Sequence, residues 1–160
     1  MTVSTSNVIG VALGYADTTQ QFNLGTCVNL DDGGQAIYVQ AASTVSQYAA
    51  VSVLADNKAV PVTTTNAANS KRFAVAQVSI ASGSFGWVQS GGVMRVNLAA
   101  SCNPAVPLFT TATAGVLDDA TVSGGGVGLV AGIVATATAS GATAITCVAG
   151  FPHVLGYSGV

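Results

Sequence analysis

The chain has 160 residues, of which 50% are hydrophobic and 6% charged, with a formal net charge of −2; an average soluble protein is about 25% charged. Its four cations, Lys58, Lys71, Arg72 and Arg95, are too few and too scattered to form the basic stripe that a phosphate backbone requires, so nucleic acid is excluded as an expected partner. A surface this poor in charge is a solubility liability for an isolated chain, and it points to coverage by partner subunits.

The helix formers Glu, Lys, Leu and Met are few. There is no Glu, while Val, Thr, Gly and Ser dominate. The chain therefore reads as all-β: a single β-barrel or β-sandwich body of about ten short strands over residues 21–160, with an extended N-terminal arm over residues 1–20. The arm carries two apolar patches, Val8-Ile9 and Val11 to Leu13, separated by Gly10. These are too little for a core but enough to pair as an extended strand with something else, which makes Val8, Ile9, Val11 and Leu13 candidate interface residues.

After the arm, Gln21 to Leu30 leads into the turn Asp31-Asp32-Gly33-Gly34, whose Asp-Gly pair supplies the dihedrals of a tight hairpin. Strands are expected over Gln35 to Ala41, Gln47 to Leu54 and Ala59 to Thr63, with a loop from Thr64 to Ser70. Phe73 to Ile80 alternates, with Phe73 and Val75 on one face and Ala74, Ala76, Val78 and Ile80 on the other. Gly83 turns the chain into Phe85 to Gln89, and Ser90-Gly91-Gly92 turns it into Val93 to Leu98. Shorter elements follow at Pro107 to Thr110 and Gly115 to Leu117, then a glycine loop from Ser123 to Gly126 and a closing hairpin around Ser140-Gly141. No repeat is strong enough to indicate a solenoid.

From Ala120 to Val160 there is no charged residue, and Gly128 and Gly132 form a GxxxG pair. Thr, Ser and Gly interrupt the apolar residues too often for a membrane helix of about 20 residues, so no membrane partner is expected. The first residues have no basic stretch and no long apolar core, hence no expected signal peptide. Cys27, Cys102 and Cys147 are odd in number and lack metal-ligand spacing; buried thiols in a protein made in a reducing cytoplasm are expected.

Nothing in the chain reads as catalytic machinery. His153 is the single histidine, and no Ser lies in a G-x-S-x-G elbow, so a turn or interface role is expected for it. Asp31-Asp32 and Asp118-Asp119 are adjacent carboxylates in turns, without the spacing of a calcium loop. Gly124 to Gly128 lacks the Lys-Ser/Thr of a P-loop. Catalytic residues, cofactors and metals are accordingly all expected to be none. Phe85 and Trp87 are candidate core anchors, with a sugar-stacking platform as the alternative role for the tryptophan.

Several segments resemble those of small bacteriophage head proteins. They are Phe22 to Thr26, Asp32-Gly33, Ile37 to Ala41, Arg72 to Val78, Gly83 to Gly91, Pro107 to Thr110, Ala114 to Asp119, Gly132 to Val134, and Phe151 to Val154. Together they cover about residues 20 to 155, and the chain is similar to the capsid decoration, or cement, proteins of tailed phages. That resemblance implies a virion structural protein on the capsid exterior, bound to the major capsid protein, frequently as a homotrimer, with no catalytic residues. It makes the N-terminal arm a candidate tether to the shell. A receptor- or glycan-binding domain of a phage tail or fibre is the alternative.

Overall fold

The computed structural model describes residues 11–67, 72–120 and 128–156. The protein is all-β, as expected, and its strands are arranged in two small closed barrels that follow one another along the chain.

The first barrel is built from β3 (Gln35–Ala41), β4 (Ala50–Val53), β5 (Lys58–Pro61), β6 (Phe73–Ala76) and β7 (Phe85–Gln89). β3 lies parallel to β5, and antiparallel pairs β5–β4, β4–β6, β6–β7 and β7–β3 complete the ring. Two short strands that precede it in the chain, β1 (Ala16–Asp17) and β2 (Cys27–Asn29), pair with β7 and β3. The interior holds Ile37, Val39 and Ala41 of β3, Val51 and Val53 of β4, Ala59, Ala74, Ala76 and Val88, with Val45, Ala49 and Ile80 from the connections. These are β-branched or small side chains, the sizes a narrow barrel accepts.

The second barrel consists of β8 (Gly92–Leu98), β9 (Leu108–Thr110), β10 (Leu117–Asp118), β11 (Gly128–Ala135) and β12 (Thr143–Gly156). Its wiring repeats the first: β8 lies parallel to β10, and β10–β9, β9–β11, β11–β12 and β12–β8 are antiparallel. The registers repeat as well. Ile37 faces Val88 and Val39 faces Gly86 in the first barrel; Met94 faces Cys147 and Val96 faces Ile145 in the second. The parallel pairs Ala41–Ala59 and Leu98–Leu117 correspond. So do two contacts outside the strands: the bridge in which Val45 and Ile80 exchange backbone hydrogen bonds at 2.9 Å, and the single bond the Ala139 N–H donates to the Cys102 carbonyl at 2.9 Å. The fold is a tandem duplication.

The halves differ at the β11–β12 ribbon, which runs past its counterpart. A bulge shifts the register between Ala131 and Ile133, where Gly132 has φ 79° and Phe151, opposite, has φ 50°. Beyond it, Gly128 to Ala131 pair with His153 to Gly156.

The barrels share apolar packing. The interior cluster of the second barrel, including Met94, Leu108, Val130 and Cys147, continues into Ala50, Val62, Phe73 and Val75 on the outside of the first. β6 is thus buried on both faces, which is why Phe73 to Ala76 reads as an unbroken apolar run. Polar links frame this junction. Asn97 donates its backbone N–H to the Tyr48 carbonyl at 2.9 Å and its amide to the Gln47 carbonyl at 2.8 Å. The Arg95 guanidinium lies 4.9 Å from the centre of the Tyr48 ring.

Candidate interaction surfaces

Trp87 is buried, as expected of an anchor, but it points away from the barrel interior. Alternation along β7 sends Gly86 and Val88 inward, leaving Phe85 and Trp87 on the outer face with Tyr38 and Ala36 of β3. There Trp87 packs 5.1 Å from Tyr38 and 5.3 Å from Phe22, between ring centres, and Phe85 stacks on Tyr38 at 6.4 Å. Leu13 and Leu30 complete this third cluster, with Val11, Leu24 and Val28 half-buried against it. Burial removes Trp87 as a platform on which a sugar could stack.

The same cluster fixes the placement of the expected arm. Val8 and Ile9 lie outside the described residues. Leu13 is buried against the body and Val11 half-buried, Ala16 pairs with Gly86, and the Gln21 N–H donates to the Tyr38 hydroxyl at 3.0 Å. Leu13 and Val11 therefore cover the first barrel, while Tyr15 beside them is exposed. The reason is simple: Tyr38 and Trp87 make an apolar outer face that needs a cover, and the preceding segment is the cover closest in sequence.

Three of the four paired carboxylates, Asp32, Asp118 and Asp119, hold backbone N–H groups. Asp32 accepts hydrogen bonds from the Gly34 N–H at 2.9 Å and the Val93 N–H at 2.7 Å, tying the β2–β3 turn to the start of the second barrel. Asp119 accepts from the backbone N–H and side-chain amide of Asn103 at 3.0 and 2.8 Å, which hold its carboxyl below the usual carboxylate range. Asp118 accepts from the Asp119 N–H at 2.9 Å, and burial pushes its carboxyl up. The Cys102 thiol completes a set whose ligand atoms lie within 4.8 Å of one another. Burial, with the Asp119 charge, raises that thiol, which favours the protonated form over a metal-binding thiolate. Of the three cysteines Cys102 and Cys147 are buried as expected, while Cys27 is exposed.

His153 is exposed at the rim of a groove of about 320 Å³ where the barrels meet, with Cys27, Arg72, Phe73 and Phe151 also lining it. Arg72 is engaged there, donating to the Asn57 amide oxygen at 2.8 Å.

The surface that sequence reasoning missed is the outside of the second barrel. Val93, Val148 and Val134 are direct cross-strand neighbours on β8, β12 and β11, and all three are exposed. Past the bulge, Leu155, Leu129 and Phe109 form a second row across β12, β11 and β9, and Phe151, also exposed, lies between the two rows along the β12 chain and lines the groove. Its only sequence signal was the uncharged run from Ala120 onward, weighed above as a possible membrane span. Among the described residues no helix is long and apolar enough to cross a membrane, and the described part of that run forms the β11–β12 ribbon. No family model and no curated protein matches this sequence.

Proposed function

We propose that the chain is a virion structural protein without catalytic activity: a decoration protein that binds the major capsid protein on the outer surface of a phage head and stabilises contacts between capsid subunits. The observation that carries the structural-subunit part of this reading is the exposed apolar outer face of the second barrel on a chain with 6% charged residues; the capsid shell as partner rests on the segment resemblance. Contiguous exposed apolar surface of this kind marks association sites, and it favours partners over life as an isolated monomer. Asp32, Asp118 and Asp119 are engaged by backbone N–H groups, which favours a framework role for them. Each copy would bridge neighbouring shell subunits by apolar burial, and many modest contacts around a closed shell would act together. Self-association, as a homotrimer on the head exterior, belongs to the same reading.

The test is co-sedimentation of the purified chain with undecorated phage heads, followed by heating of the decorated and bare particles. Saturable binding with a raised temperature of DNA release supports the reading. Absence of binding to heads, together with specific retention on a glycan array, would replace it with a receptor-binding role for a tail or fibre domain.

A further inference from the structure

The duplication gives the exposed face of the second barrel an internal reference. Val93, Val148 and Val134 occupy the same strands and registers as Ala36, Gln89 and Val75 of the first barrel, where Gln89 faces both Ala36 and Val75. The two rows have opposite fates. Ala36, Gln89 and Val75 are 0%, 3% and 0% exposed, whereas Val93, Val148 and Val134 are 42%, 52% and 44% exposed. The chain itself covers the first row. Val75 packs into the second barrel's core cluster, Ala36 packs with Leu13 and Leu30, and the Gln89 amide donates to the carbonyls of Gly91 and Val93. No equivalent cover lies over the second row among the described residues.

We propose that this face of the second barrel, the Val93–Val148–Val134 row with Phe151 and the Leu155–Leu129–Phe109 row, is the surface through which the protein binds a second copy of itself. The inference rests on the structural-subunit reading above and names the surface used for self-association. Three observations select a second copy as occupant. At this position of the barrel, the chain already uses its own material as the cover. The barrel is a closed ring, so the face offers side chains rather than free strand edges, and association proceeds by apolar packing. The charges at its margins are opposite in sign and leave no like-charge barrier between copies. Arg95 adjoins the first row, held over Tyr48 and donating to the Ala144 carbonyl at 2.8 Å, and Asp118 pairs with Phe109 at the end of the second.

The experiment is sedimentation velocity of the full chain at rising concentration up to about 100 µM, run beside head binding. The parent should sediment above its 15.7 kDa monomer mass. Val148→Asp with Val134→Asp should return it to monomer with its β circular dichroism and cooperative melting intact. Leu54→Asp, an exposed apolar position on the first barrel, should change nothing. The isosteric Val148→Thr, which keeps a β-branched strand residue, should weaken association about tenfold and guards against misfolding of the double variant. A folded double variant that associates as the parent does overturns the proposal. So does a parent that stays monomeric while the double variant loses head binding, since the face would then belong to the capsid protein. The decoration reading fails separately, if the parent self-associates but does not bind heads.

Discussion

Gly86 of β7 gives its inward space to Ile80: a Cβ built on Gly86 would stand 2.8 Å from the Ile80 Cδ1, inside a fully packed barrel. The second barrel makes the opposite allocation at the equivalent positions, with Ile145 on the strand and Ala139 on the connection. A large and a small side chain have exchanged places, so each interior keeps similar volume, as close packing demands.

Gly86→Ala should therefore destabilise by about 1–3 kcal/mol through overpacking, and Ile80→Ala by about 2–5 kcal/mol through a cavity. The double variant, which moves the first barrel toward the second barrel's arrangement, should cost clearly less than the sum. Urea unfolding of the four proteins forms the double-mutant cycle, and strict additivity would show that the two sites do not share space.

The aromatic cluster on the outer face of the first barrel predicts that Trp87→Ala costs about 3–5 kcal/mol and Leu13→Ala about 2–5 kcal/mol. Both should lower the melting temperature. For Leu13 this separates a covering segment from a loose tail, because truncation of a residue in a loose tail would leave the melting curve unchanged.

Asp32 joins two parts of the chain that lie 61 residues apart, through its bond to the Val93 N–H. Asp32→Ala should cost about 1–2 kcal/mol by leaving two N–H groups without their acceptor. Gly92 has φ 90° and lies against the Asp32 carboxylate, where an added Cβ would meet an oxygen at 2.4 Å. Gly92→Ala should thus destabilise more than a surface substitution, by about 1–3 kcal/mol. Denaturation midpoints indistinguishable from the parent in both variants would remove this junction as a stabilising element.

The buried thiols predict both reactivity and alkaline behaviour. Native protein should take one iodoacetamide adduct, at the exposed Cys27, and three in denaturant. Burial, and then the neighbouring Cys102, push the Cys147 thiol from 9.0 up to about 12. The folded state holds this proton to higher pH than the unfolded state does. Its contribution is therefore complete below pH 9 and declines as the pH rises toward 12, by up to about 1.4 kcal/mol per pH unit. Cys147→Ala should show a lower stability but a flatter alkaline limb than the parent. Parallel curves between pH 8 and 11 would refute the assignment.

The physical expectations can be followed residue by residue. Gln35 to Ala41 and Phe85 to Gln89 form strands over the spans expected, because each is β-rich and entered from a Gly-containing turn. The closing hairpin expected around Ser140-Gly141 joins β11, Gly128 to Ala135, to β12, Thr143 to Gly156, and the ends of β11 are set by pairing with β9 and β12. The glycine loop from Ser123 to Gly126 lies outside the described residues.

Local chemistry determined the all-β character, the Asp-Gly turn and the burial of Trp87, because strand propensity, turn dihedrals and ring size act within a few residues. It could not determine that the body divides into two matching barrels. The halves share wiring and register but few identities, and Gly86–Ile80 against Ile145–Ala139 shows that volume is kept where sequence is not. Period-two alternation places Val75 and Val134 on the outward side of their strands, yet one is sealed beneath the second barrel and the other is exposed. Only the packing of distant segments decides between those outcomes, because burial depends on what arrives from elsewhere in the chain to cover a face.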